Sequence, residues 1–347
     1  MLVVAASVTP AAATTVHGTP DGHGLTWRAS NELIRVESFG VDGIRVRMTN
    51  GRSALSASLP GAILPVPEVN HTMVPPKVSV GTDNRSGTII NGAIRAVVQS
   101  EGWPPNHDFS GHGRPTIRFE DTTSGALLCG EYYPDHGPPA RALFAQSRGS
   151  GAQMSAQLSF IAFDDEELYG LGQHQHGRLD QKGMVIDLED YNTEVPIPLL
   201  LSRRRSTGQV YGFLWNVPSA GRVELAANNR TRWVADAAWQ VDYLVLTGTS
   251  LFDVLARYME ATGHPPPFPR WASGYWQCKL RYATQTELLN VGSRAVARSL
   301  ARPRTRTSLP GMHHAQEVTH RFRMPRLSTP HAWCSAHNTP PRAARTP

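Results

Sequence analysis

HPPPFPRWASGYWQCKLRYATQTE, residues 264–287, is the stretch on which the reading of the whole chain turns. Pro265, Pro266, Pro267 and Pro269 cannot continue a helix, because proline fixes φ and pushes the residue before it out of the α region. They predict a stiff, extended boundary between two parts of the chain. Trp271 to Tyr282 then runs from apolar and aromatic to polar, the pattern of a strand leaving a core for a rim. Thr284 and Glu287 stand at capping-box spacing ahead of Leu288 and Leu289, which predicts a helix start. A strand followed at once by a helix is the first unit of an α/β domain.

Working outward toward the N-terminus, Leu251, Val254, Leu255, Tyr258 and Met259 recur at helical spacing. With Ser250 and Asp253 at its start and Gly263 at its end, this predicts an amphipathic helix. Earlier still, short strand patterns alternate with turn clusters. Leu33–Glu37 and Ile44–Met48 alternate apolar and charged residues, which places one face in a core and the other in water. Further strands are expected at Thr88–Gln99, Pro115–Phe119, Met154–Phe163, Met184–Leu188, Val210–Trp215, Arg222–Leu225 and Val241–Leu246. Many short strands punctuated by Gly and Pro predict a mainly β chain built as a β-sandwich. The expected order is a flexible segment over 1–25, a β-sandwich over 26–249, a helix and proline linker over 250–268, a strand and helix over 269–291, and a basic tail over 292–347. In the tail the apolar periodicity stops, so it is expected to be disordered.

The chain of 347 residues carries a formal net charge of +6. Ten arginines against the single acid Glu317 lie from Gly292 onward, a surplus of nine, so the preceding residues are acidic by three. A basic nucleic-acid surface is therefore not a property of the predicted fold, and the tail lacks the interleaved aromatics of single-strand binders. No nucleic-acid partner is expected. Cys129, Cys278 and Cys334 have no metal-like spacing and cannot all pair. No segment approaches the run of about 20 apolar residues that a membrane helix needs, so no membrane partner is expected either. The apolar N-terminus has no basic region ahead of it, unlike a secretory leader. Asn70, Asn84 and Asn229 fit the N-glycosylation pattern, which matters only in a secreted chain.

Five stretches in order carry a family resemblance: Leu168–Gln173 (LYGLGQ), Asn192–Pro198 (NTEVPIP), Tyr211–Asn216 (YGFLWN), Gly221–Ala227 with Arg232–Asp236 (GRVELAA, RWVAD), and Trp271–Tyr282. Together they resemble glycoside hydrolase family 31, the α-glucosidases and α-xylosidases, over about residues 26 to 291, and the wording is closest to its α-xylosidase-like members. The resemblance implies a galactose-mutarotase-like β-sandwich followed by the start of a (β/α)₈ barrel, and an activity on α-glycosidic, chiefly α-xylosidic, O-glycosyl bonds. It implies a carbohydrate partner and no cofactor or metal. The family's retaining chemistry needs two barrel carboxylates about 5 Å apart, one of them an aspartate nucleophile. No aspartate follows Asp253, and the only later acids are Glu260, Glu287 and Glu317. No catalytic residue is therefore assigned, and the chain reads as a truncated or frame-altered glycosidase without turnover, with a non-catalytic carbohydrate-binding sandwich as the alternative.

By family position, the loop from Glu189 to Glu194 is expected to reach toward sugar. Asp190, Tyr191, Asn192 and Glu194 are its candidate contacts, joined by Trp276, Gln277, Lys279 and Arg281 on the strand past the prolines. Three other features read as structural. His174 and His176 are expected to be surface histidines rather than metal ligands, having no acid at ligand spacing. Asp164 to Glu167 are expected to face water on a turn. Ser202 to Tyr211 is longer and more basic than the corresponding turn of relatives, which leaves the register of its hairpin open.

Overall fold

The computed structural model describes residues 15–29, 32–51, 53–64, 75–99, 116–132, 140–145, 153–273, 279 and 281–300. Two compact units divide the chain after His264.

In the first unit the chain opens with β1 (Thr15–Gly18), β2 (Gly24–Ala29), β3 (Glu32–Ser38) and β4 (Gly43–Thr49). A second meander follows as β5 (Lys77–Val80), β6 (Ser86–Asn91), β7 (Ile94–Gln99), β8 (Thr116–Asp121) and β9 (Leu127–Gly130). Then come β10 (Arg141–Ala145), β11 (Met154–Ile161), β12 (Glu166–Gln173), β13 (Val185–Asp187), β14 (Val195–Arg204), β15 (Val210–Trp215), β16 (Gly221–Ala227), β17 (Arg230–Ala238) and β18 (Val241–Gly248). They form an eight-stranded sheet in the order β1-β2-β3-β4-β18-β15-β14-β12 and two five-stranded sheets, β10-β11-β17-β16-β13 and β5-β6-β7-β8-β9. A bridge from Glu131 to Phe160 links the two smaller sheets into one layer. That layer packs against the large sheet, with β6 beneath β1 to β3 and β9 against β15. The result is the expected β-sandwich.

Its interior is aromatic. Phe213 on β15 stacks on Tyr243 of β18 at 4.9 Å and, across the layers, on Trp233 of β17 at 5.0 Å. Phe160 of β11 meets Phe213 edge-on at 4.9 Å, and Trp215 stacks on Trp233 at 5.7 Å. The outer face of the large sheet is covered as well. Helix α1 (Leu251–Thr262) lays Val254 and Ala261 onto Leu199, Leu201, Val210, Leu214, Leu244 and Leu246. Burial on both faces explains why β15 and β18 read as nearly continuous apolar runs rather than alternating ones. The helix begins as its sequence predicts: Ser250 accepts the Asp253 N–H at 3.2 Å, and Gly263 ends it at φ +95° with its N–H donating to the Met259 carbonyl.

Four expectations need correction. Thr88–Gln99 is not one strand but the β6–β7 hairpin, because Gly92-Ala93 forms a two-residue turn between the paired Asn91 and Ile94, with Gly92 at φ +60°. The charged residues of β4 do not face water. Arg45 is buried in a two-pronged bond to Asp242 at 2.9 and 2.6 Å, and Arg47 is buried against Glu37. The acidic run 164–167 does not simply face water either. Glu166 is 1% exposed and accepts hydrogen bonds from Ser202 Oγ at 2.5 Å, Tyr211 O–H at 2.9 Å and the Phe163 N–H at 3.1 Å. Asp165 binds the neighbouring basic loop, bonding Arg204 at 2.6 Å and the Ser206 N–H at 3.1 Å. These contacts fix the β14–β15 register left open above, which runs unbroken from Leu199–Leu214 to Arg203–Val210.

The fourth correction lies in the second unit. Trp271 was expected to open a strand, but Arg270–Ser273 is a 3₁₀ turn closed by the Ala272 N–H on the Pro269 carbonyl at 2.9 Å. Proline at the head of such a turn has its φ already set. Helix α2 begins with the expected cap, Thr284 Oγ1 accepting the Glu287 N–H at 3.2 Å. It spans Gln285–Leu300 and so continues past Val291, into residues expected to be disordered; 301–347 lie outside the described residues. Alanine and arginine, at four of the five positions 294–298, are good helix formers.

Removing the Glu166 carboxylate strands two buried donors, Ser202 and Tyr211, and one partly buried donor, the Phe163 N–H. We expect Glu166→Ala to cost about 3 kcal/mol or more, and Tyr211→Phe about 1.5 kcal/mol, in urea unfolding followed by tryptophan fluorescence. A wild-type midpoint for Glu166→Ala would contradict the role given to this cluster.

Candidate functional site

The site is built where β12 runs past the start of β14. Gly170, Leu171 and Gly172 all have positive φ, +99°, +66° and +93°, and the register against β14 shifts between the two glycines. This is a β-bulge in the LYGLG motif. A Cβ at Gly170 would lie 2.4 Å from the Leu199 carbonyl oxygen, and one at Gly172 would lie 2.0 Å from that of Val195. Only glycine fits at either position. Leu171 between them is fully buried, so core packing offsets the roughly 1–2 kcal/mol that a left-handed residue costs.

Beyond the bulge the chain turns back, and His174 fills the space beneath the turn. Its Nε2–H donates to the Leu171 carbonyl at 2.8 Å, and its Nδ1 lies 3.1 Å from Oε2 of Glu194. The side chain is 3% exposed. The expectation of a surface histidine without an acid partner is thus wrong for His174: the acid comes from twenty residues further on, brought back by β14. His176 stacks on His174 at 5.7 Å with nearly parallel rings, and its Nδ1 accepts the Arg178 N–H at 3.1 Å. Among the described residues no group of three or more His, Cys, Asp or Glu could hold a metal ion.

Glu194 is the hinge between this turn and the candidate loop. Its N–H donates to the Tyr191 carbonyl at 3.2 Å, closing the turn over Tyr191 to Glu194, and its Oε1 lies 3.5 Å from the Gln175 N–H. The His174 hydrogen bond, helped by the Gln175 bond, holds the Glu194 carboxyl below its usual range. Asp190, Tyr191 and Asn192 are exposed at the tip. Tyr191 is 51% exposed, and its O–H donates to Glu189 at 3.1 Å, which pushes the phenol upward. Val185, Val195 and Ile197 are exposed as well.

The structure therefore brings together four of the predicted residues, Asp190, Tyr191, Asn192 and Glu194. Lys279 and Arg281 belong to the second unit, where Lys279 pairs with Glu287 and Arg281 is exposed. Trp276 and Gln277 lie outside the described residues. The residues that shape the loop, Gly172 and His174, were not among the candidates. Two glycines flanking a leucine inside a strand are the sequence signal that marks such a bulge.

The β-sandwich is the part of this chain that can be set beside known proteins. No family model matches the chain. It is 33% identical over 293 residues to alpha-xylosidase A of Aspergillus niger, covering 83% of this chain and 38% of that protein. An uncharacterised family 31 glucosidase of Pseudescherichia vulneris is 30% identical over 281 residues, with 80% and 50% covered. Among solved structures, a GH31 alpha-xylosidase from a soil metagenome, complexed with xylose, matches with a TM-score of 0.65 and 30% identity over 82% of this chain and 40% of that one. These relatives are glycosidases. The chain belongs to glycoside hydrolase family 31, and it spans half or less of the length of these relatives.

The bulge makes a direct prediction. Gly172→Ala combines positive φ with a backbone collision and should cost about 3 kcal/mol. Gly177→Ala, at φ +68° with open space around it, should cost only about 1 kcal/mol. Equal thermal stabilities for the two variants would contradict the close approach of β14 to Gly172.

Proposed function

We propose that this sandwich serves an α-glycosidase of the α-xylosidase type, presenting the 189–194 loop to the sugar. The observation that carries the reading is the exposed Tyr191 ring between Asp190 and Asn192, held on a backbone turn fixed by Glu194. A flat aromatic face suits the C–H side of a pentose or hexose, while a carboxylate and an amide on either side suit its hydroxyls. The names of the relatives support xylosides over other α-glycosides.

The 347 residues on their own are proposed to bind sugar without turning it over. Retaining hydrolysis needs a nucleophilic carboxylate and an acid poised on opposite sides of the glycosidic bond. Past Asp253 the sequence offers only Glu260, Glu287 and Glu317. Within the loop, Glu194 is already engaged by His174, which suits a structural part better than a chemical one.

Calorimetry with a xylose-bearing oligosaccharide should give millimolar binding that Tyr191→Ala weakens about tenfold, or about 1.4 kcal/mol. An assay on an aryl α-xyloside should show no hydrolysis above buffer. Absence of heat at millimolar sugar would sink the loop assignment, and hydrolysis that co-purifies with the chain would sink the no-turnover claim.

A further inference from the structure

The two nitrogens of His174 both face oxygens. Nε2 faces the Leu171 carbonyl, which can only accept, and Nδ1 faces a carboxyl of Glu194. With Glu194 ionised, the two bonds form together only when both nitrogens carry protons. The ring sits between a bulge that glycine geometry holds rigid and a turn whose tip is exposed. We propose that His174 is a protonation-dependent latch, which fastens the 189–194 loop to the β12 bulge when doubly protonated and releases it when neutral.

The surroundings fit a group that changes state. Glu194 supplies the counter-charge at Oε2. His176 stacks on the same ring and accepts the Arg178 N–H at Nδ1, and it also acts on the Glu194 carboxyl through charge, as the smallest of the contributions that lower it. The charges of Glu189 and Asp187 act on the Tyr191 phenol, as does that of Glu194. Among the described residues neither His174 nor Glu194 has a second ion pair, so loss of one proton from the ring leaves one of the two facing oxygens without its donor and breaks the chain of bonds from bulge to loop. Charge-assisted bonds are about twice as strong as neutral ones, and this one adds to the Gln175 N–H bond to Glu194 and to the Gly172–Pro196 and Gln173–Val195 pairing that already join the two segments.

The signs give a window. The Glu194 carboxyl is depressed, so its share of the latch is present above the usual carboxylate range and is lost as the pH falls through the lowered value. On the other side, the latch opens as the pH rises, because the ring then no longer carries a proton for each of its two oxygen partners. This inference holds whether or not the loop touches sugar.

The test is hydrogen exchange of the full chain, read by mass spectrometry on a peptide over 189–197 and expressed as protection relative to the unstructured rate at each pH. Protection should fall tenfold or more between pH 5.5 and 8.5, while a control peptide over 210–215 in the core stays unchanged. In His174→Gln the loop peptide should be weakly protected and flat with pH; in His176→Gln the wild-type dependence should persist. Constant wild-type protection would overturn the proposal, as would a pH dependence that survives His174→Gln or disappears in His176→Gln. The wild-type series needs no variant, and it decides the matter even if a substitution fails to fold.

Discussion

The aromatic stack between the layers sets the position of everything else. Phe213 touches Tyr243, Trp233 and Phe160, so one side chain of β15 ties the large sheet to β11 and β17. Each ring buried there is worth roughly 2–3 kcal/mol in apolar area, with a further contribution from ring geometry. β15 also pairs directly with β14. The loop at the start of β14 therefore inherits its place from the core, through a short run of paired backbone.

Burial on both faces of the large sheet has an electrostatic consequence. Arg45 with Asp242 is buried within that sheet, and Arg141 of β10 with Glu131 is buried in the opposing layer; in both places desolvation competes with attraction. Burial pushes the Glu131 carboxyl upward even with Arg141 2.6 Å away. Such pairs are weak sources of stability, though removing one partner from them is damaging. Their geometry nonetheless fixes which strand lies where: Asn216 donates to Asp242 at 2.8 Å and accepts the Ala62 N–H at 2.6 Å, pinning a surface loop to the same strand end.

Much of this was legible in the sequence, and the parts that were not share a cause. The α1 cap, the Gly263 stop and the β15 and β18 strands are local patterns, and local patterns survive folding. The β6–β7 hairpin was missed because Thr88 to Gln99 is apolar on both sides of Asn91-Gly92, and the turn signal was outweighed by the run. Strands β12, β14 and β17 were noticed as family stretches but not as strands, since glycine, proline and arginine interrupt their alternation. His174 was misread for a different reason. Its partner Glu194 is twenty positions away, and only the return of β14 along β12 brings the two within hydrogen-bond distance. No spacing rule reports a contact made by sheet topology.

Membership of family 31 frames the loop without fixing its task. The central proposal is that the exposed Tyr191 and its polar neighbours, held by the bulge, meet sugar hydroxyls. The most direct measurement is a crystal structure of this chain soaked with a methyl α-xyloside. The account predicts a sugar ring lying on Tyr191, with hydroxyls within hydrogen-bond reach of Asp190 or Asn192. Sugar bound on another face, or a bare 189–194 loop at saturating ligand, would contradict it.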